Sequence, residues 1–192
     1  MHLRIIDDVI PKLYQDRVEA MLTNIEFPWK FLSDVTYRVE DSAKSIDPNA
    51  KGTAGFAHLF YDRMMEHESP YWDFLFPLFL SFVNDPHYEL LRVKGGLLLP
   101  TKMGYNMPHV DAECPHTTAI YYVNDSDGDT HFFSPEGDVK ETVSPKKGRL
   151  VMFDGLTMHA SHCPVESSHR LVLNFNYVTP TEREVVRHQG RT

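Results

Sequence analysis

Cysteine is scarce in this chain: Cys114 and Cys163 are the two among 192 residues. Two thiols cannot build a disulfide framework, so a disulfide-held scaffold is excluded. Long apolar runs are missing too. The richest stretch, around Tyr71 to Val83, is interrupted by Asp73 and Pro77, whereas a membrane helix needs about 20 consecutive apolar residues. No leader-like segment opens the sequence. With so little cysteine, this predicts a reducing, cytoplasmic setting and no membrane partner. Basic charge is also short, with 19 Lys and Arg against 27 Asp and Glu and a formal net charge of −8. A general nucleic-acid binder shows a basic face, so no nucleic-acid partner is expected. Internal repeats are absent.

What is present reads as one globular domain over 1–192, with 42% hydrophobic and 24% charged residues. We divide it into helical support over about 1–87, a β core over about 88–178 and a polar tail over 179–192. Leu3 to Ile6 suits a short strand. Leu13, Val18, Met21, Leu22 and Ile25 recur at helical spacing, which predicts a helix over about Pro11 to Asn24 with Gln15, Asp16, Arg17 and Glu19 on its polar face. Phe27 to Leu32 adds bulk to the core. Asp41 to Gly55 is loop-like, a connector or a flap over a site. Phe56 to Tyr61 suits a strand. Tyr71 to Asn84 suits a helix broken or started near Pro77. Tyr88 to Leu99 suits a long strand, with Gly95-Gly96 marking a bulge or a close approach. Arg92 and Lys94 share one of its faces and read as a solvated or salt-bridged edge, with Arg92 at a substrate mouth as the alternative. From Thr117 onward the chain alternates short strands with turns, over Thr117 to Val123, Thr130 to Phe133, Val139 to Val143, Arg149 to Phe153 and Arg170 to Val178. That rhythm suggests a barrel or double-sheet jelly roll.

The chemistry centres on Pro108-His109-Val110-Asp111. On an extended strand, residues two apart share a face, which sets an imidazole beside a carboxylate. With His159 further along, two histidines and one carboxylate match the facial triad of non-heme Fe(II) oxygenases. Arg170 adds a planar fork suited to a carboxylate. His58, His67, His87, His169 and His188 have no such context and read as solvent-facing. His116 and His131 are candidates for the site's mouth. Asp125, Asp127 and Asp129 alternate as in a calcium loop, but the following glutamate is misplaced, so a solvated turn is expected.

The ordered series His109-x-Asp111, Ala119 to Asn124, Gly128-Asp129-Thr130-His131-Phe132, Val143 to Phe153, His159, Pro164-Val165 and Arg170 resembles the Fe(II)- and 2-oxoglutarate-dependent oxygenases, in their prolyl 4-hydroxylase-like branch. The resemblance runs from about Leu91 to Val178. It implies a mainly β fold with flanking α-helices around a double-stranded β-helix, a jelly-roll and cupin relative. It implies that His109, Asp111 and His159 hold Fe(II), with His162 as the alternative third ligand. It implies that Arg170, Tyr122 and Thr130 line the pocket for 2-oxoglutarate, with Arg170 on its distal carboxylate. The implied activity is C–H hydroxylation with O2, releasing succinate and CO2, and with ascorbate as an optional reductant. The implied substrate is a peptide or protein, a prolyl residue in particular, or a small molecule. Oligomeric state stays open. The competing readings are a non-catalytic metal-binding jelly-roll module and a zinc or manganese cupin enzyme. The family's usual Gly-Gly before the Thr strand is here Gly128-Asp129.

Overall fold

The computed structural model describes residues 2–35 and 52–180. Most of the Asp41 to Gly55 stretch, most of the polar tail and His188 lie outside them. The first strand, β1 (Arg4–Ile6), leads through Pro11 into helix α1 (Lys12–Leu22). Pro11 has the fixed φ of a helix start, and its carbonyl accepts from the Tyr14 and Gln15 amides. The buried face of α1 is Gln15, Val18 and Leu22. This corrects the expected face, since Leu13 and Ile25 are exposed and Gln15 is buried. The reason is local: the Gln15 amide donates to the Asp8 carboxylate at 3.0 Å and to the Ile10 carbonyl at 2.9 Å, so burial leaves it satisfied.

Strands β2 (Lys30–Leu32), β3 (Gly55–Asp62) and the short β4 (His67–Glu68) follow, then helix α2 (Trp72–Leu80). Pro77 lies inside α2 and neither starts nor breaks it. An interior proline costs about 3 kcal/mol. Trp72, Leu75, Leu78 and Phe79 are all buried on this helix, and each such side chain gains roughly 1.5–3 kcal/mol on burial. Packing therefore outweighs the proline.

The remaining strands are β5 (Glu89–Leu98), β6 (Thr117–Tyr122), β7 (Thr130–Phe133), β8 (Val139–Val143), β9 (Leu150–Asp154), β10 (His159–Ser161) and β11 (Arg170–Val178). Among the described residues they form two antiparallel sheets. The larger runs β1-β9-β6-β11-β5-β3-β2, with β4 also on β3, and the smaller runs β10-β7-β8. Isolated bridges at Tyr105–His162 and His109–His159 lay the segment before β6 along β10. Strand β5 thus lies between β11 and β3, inside the sheet, and Arg92 is not on an edge. Gly95 is a close approach: a Cβ there would stand 3.0 Å from the Phe60 ring. The irregular pairings of β5 lie elsewhere, at Leu59/Tyr61 of β3 and at Asn176/Tyr177 of β11.

The large sheet has two buried faces. Ala119, Tyr121, Leu171, Leu173 and Phe175 pack with α1 and α2 residues in one core. Their alternate neighbours Ile120, Tyr122 and Val172 face the other way, packing with Phe132 and Val143 of the small sheet. The result is a mainly β jelly roll with its helices on the outer face, as the strand rhythm suggests.

Candidate metal and anion site

His109 and His159 stand opposite each other on a reciprocal backbone pair, His109 N to His159 O at 2.9 Å and His159 N to His109 O at 3.0 Å. A bridged pair of this kind directs both side chains to one face, and the two rings are 4.8 Å apart. Asp111 follows on a bend. The regular strand expected over His109 to Asp111 is thus reduced to one bridge, because Pro108 lacks a donor and the chain turns at Asp111. The carboxylate still reaches both rings: its oxygens lie 3.9 Å from His109 Nε2 and 3.8 Å from His159 Nε2. One ligand atom from each residue falls within 4.8 Å of the others, as a bound ion requires. His162 stays outside this cluster, its Nδ1 2.5 Å from the Cys163 carbonyl.

Both imidazoles are oriented from behind by backbone carbonyls. His109 Nδ1 is 3.1 Å from the Met107 carbonyl and His159 Nδ1 is 3.0 Å from the Thr157 carbonyl. The Nδ1–H of each ring donates there, which leaves both Nε2 lone pairs aimed at a common point. Burial lowers the His109 pKa to about 4, helped by neighbouring His159 and opposed by Asp111. Burial alone would raise the Asp111 pKa, but His159, Arg92 and His109 together hold it below the usual carboxylate range. The apo site therefore favours a neutral His109 imidazole and an ionised Asp111 carboxylate, the forms that bind a metal.

Sequence reading left the supports of Asp111 unnamed. Oδ2 accepts from Asn174 at 2.9 Å, Asn176 at 3.0 Å and the Thr118 hydroxyl at 3.4 Å. Oδ1 accepts from Arg92 Nη2 at 3.2 Å. These donors come from three neighbouring strands, and Asn176 of β11 is paired with Arg92 on one side and Thr118 on the other. The signal was present in the alternation that puts Asn174 and Asn176 on the Arg170 face, but the strand order was needed to see where that face points.

Arg170 is buried, at 3% exposure. Its Nε donates to the Gly128 carbonyl at 2.6 Å and its Nη2 to the Thr130 hydroxyl at 2.9 Å. The Tyr122 and Thr130 hydroxyls are 2.7 Å apart, and the guanidinium sits 5.7 Å from the Tyr122 ring. Burial lowers the Arg170 pKa, opposed by Tyr122, Cys163 and the more distant Asp129 carboxylate. Among the described residues no carboxylate lies within 4.0 Å of this cation. One cavity of about 90 Å³ is lined by His109, Asp111 and His159 and also by Thr130 and Arg170. The donor set fits Fe(II). The lone buried guanidinium fits the far carboxylate of 2-oxoglutarate. Gly128 permits this arrangement, since a Cβ there would fall 2.6 Å from the His162 carbonyl and 2.8 Å from Arg170 Cδ.

Other expectations change. His58 is buried, hydrogen-bonded to the Pro28 carbonyl and the Ser69 hydroxyl, and does not face solvent. His116 is buried behind Asp111, between the Cys114 carbonyl and the Thr118 hydroxyl. His131 bonds the Thr142 hydroxyl. Asp127 is not a simply solvated turn residue: its carboxylate accepts three backbone amides, from Val165, Glu166 and Ser167.

The sequence model of the 2OG-Fe(II) oxygenase superfamily matches residues 98–178. No curated protein matches the chain. Among solved structures, the fold is similar to a 2OG-Fe(II) oxygenase family oxidoreductase from Burkholderia pseudomallei, at 13% identity and a TM-score of 0.66, covering 92% of this chain and 84% of that one. It is similar to a prolyl hydroxylase from Trichoplax adhaerens, solved in complex with a hypoxia inducible factor oxygen degradation domain peptide fragment, at 15% identity, a TM-score of 0.62 and 95% and 86% coverage. It is also similar to the non-heme alpha ketoglutarate dependent epimerase SnoN from nogalamycin biosynthesis, at 12% identity, a TM-score of 0.59 and 92% and 78% coverage.

Proposed function

We propose that the chain is a 2-oxoglutarate-dependent dioxygenase using Fe(II) and O2, and that it hydroxylates a residue of a peptide or protein, with a prolyl ring as the first candidate. His109, Asp111 and His159 hold the metal in this reading. Arg170, with Thr130 and Tyr122, holds the distal carboxylate of 2-oxoglutarate. When bound, the metal, co-substrate and O2 supply the oxidant that replaces C–H by C–OH, with succinate and CO2 as co-products. The chain supplies the rest: fixed imidazole tautomers, an ionised carboxylate and a cation in the same cavity. The observation that carries the reading is the sharing of one cavity by the triad and the buried Arg170 guanidinium, which has no carboxylate within 4.0 Å among the described residues. Likeness to the Trichoplax enzyme supports a peptide substrate. So do Leu32, Val35 and Phe56 in the cavity's lining, which suit an uncharged ring. Likeness to the nogalamycin-pathway epimerase supports a second reading, a small-molecule substrate.

The first test is anaerobic titration of the Fe(II)-loaded protein with 2-oxoglutarate. The expected result is a saturable visible charge-transfer band that is lost in Asp111→Ala. Iron bound without such a band sinks the oxygenase reading. Succinate release and a one-oxygen mass gain are then sought with proline-containing peptides. Turnover with small metabolites and with no peptide moves the substrate to the second reading.

A further inference from the structure

Arg92 comes from β5, before the segment that carries the superfamily match, and it touches the carboxylate of the triad. Its Nη2 donates to Asp111 Oδ1 at 3.2 Å, and its Nε donates to Asn176 Oδ1 at 3.2 Å. Asn176 in turn donates to Asp111 Oδ2 at 3.0 Å. The guanidinium therefore grips the carboxylate directly and through an amide. The other oxygen is already held by Asn174 and Asn176, at 2.9 Å and 3.0 Å, with the Thr118 hydroxyl at 3.4 Å. Geometry at Asp111 is thus secured by three neutral donors, and Arg92 adds something they do not, a positive charge. The Asp111 side chain is 5% exposed and that of Arg92 is 29% exposed, so solvent screens the pair only in part.

We infer that Arg92 is a positioning residue that acts through Asp111, its guanidinium balancing the charge of that carboxylate before metal arrives. This rests on the metal-site reading above. A cation within a few ångströms of the metal position opposes further positive charge there. It therefore weakens divalent-metal binding, disfavours Fe(III) relative to Fe(II), and leaves the loaded site more positive toward a dianionic co-substrate. A purely structural arginine would do the reverse on removal: the carboxylate would loosen and metal affinity would fall, as loss of a ligand's hydrogen-bond partner commonly does by 10–100-fold.

The test compares wild type, Arg92→Met and Arg92→Lys. Met keeps the length and apolar stem, and Lys keeps the charge. Two readouts need no substrate: Co(II) affinity from the visible spectrum of the loaded protein, and the Fe(III)/Fe(II) midpoint potential. The expected result for Arg92→Met is Co(II) binding that tightens by roughly tenfold or more, a potential shifted down, and a higher 2-oxoglutarate dissociation constant. Arg92→Lys returns all three toward wild type. Weaker Co(II) binding in Arg92→Met, or a potential equal to wild type, overturns the inference while the metal site stands. Wild-type protein that binds neither Co(II) nor Fe(II) overturns the site reading and the inference with it. An Asn174→Ala variant controls for geometry: it removes a neutral donor and is expected to weaken Co(II) binding with little change in potential.

Discussion

A buried guanidinium with no carboxylate in ion-pair contact among the described residues is an unusual residue to keep, because the penalty for an unpaired buried ion is several kcal/mol. Arg170 offsets part of it with the Gly128 carbonyl and the Thr130 hydroxyl, both neutral. The remainder is recovered when a carboxylate enters. Arg170→Met is thus expected to leave the apo protein at least as stable as wild type and to retain iron. The stabilisation by 2-oxoglutarate should disappear, and thermal melts with and without the co-substrate check this. Gly128→Ala attacks the same pocket from the backbone side. Its Cβ would collide with the His162 carbonyl and with Arg170 Cδ, so the side chain must shift. A rise of roughly tenfold or more in the 2-oxoglutarate dissociation constant is expected from misplacing one charge-assisted hydrogen bond, measurable by the same anaerobic titration. Iron binding should be little changed, because the triad lies at the other end of the cavity.

At the scale of elements, two connections hold the site in register. The bridge between the His109 segment and β10 brings two candidate ligands face to face. The turn before β7 ties itself to the loop before β11, through the Asp127 carboxylate and the Val165, Glu166 and Ser167 amides. Those amides, Glu166 foremost, hold the Asp127 pKa well below its ordinary value. The sign of the linkage follows. A carboxyl whose folded pKa is depressed stabilises the fold above its unfolded value, near 3.8, and that contribution is lost as pH falls toward the folded pKa. Asp127→Ala is therefore expected to melt below wild type at pH 7, with the gap narrowing as pH drops beneath about 4. A gap that stays constant down to pH 2 would show that the loss comes from something other than the ionised carboxylate.

Over the whole molecule, one sheet separates stability from chemistry. Odd-numbered residues of β6 and β11, such as Tyr121, Leu173 and Phe175, build the core under the helices. Even-numbered ones, such as Ile120, Arg170, Val172 and Asn174, line the cavity. Phe79 of α2 sits fully buried on the core side, with its ring near those of Phe82, Tyr88, Phe175 and Tyr177. Phe79→Ala should lower the unfolding free energy by about 3–5 kcal/mol. Co(II) affinity should stay near that of wild type, because no ligand touches that face. Denaturant melts and the metal titration measure the two effects separately. A parallel loss of affinity would mean that the two faces are coupled.

Much of this was legible in the chain itself. Strand and turn rhythm after Thr117, the order of His109, Asp111, His159 and Arg170, and the shared face of Thr118, Ile120 and Tyr122 all rest on local geometry, since a strand's alternation is set by its own backbone. The grouping of Arg170 with Asn174 and Asn176 was legible for the same reason. Tertiary structure alone decided which strands are neighbours. That placed Arg92 inside the sheet and against Asp111, a partner 19 residues onward that its own strand did not identify. It set His159 and not His162 beside Asp111, because a backbone bridge to His109, and not spacing along the chain, brings the ring to the carboxylate. It also buried Gln15 and His58, whose polarity predicts exposure until their hydrogen-bond partners are known. Periodicity is a property of one strand or helix, whereas a metal site with its supporting donors is a property of several strands at once. The first can be read along the chain, and the second exists only where the sheet order brings those strands together.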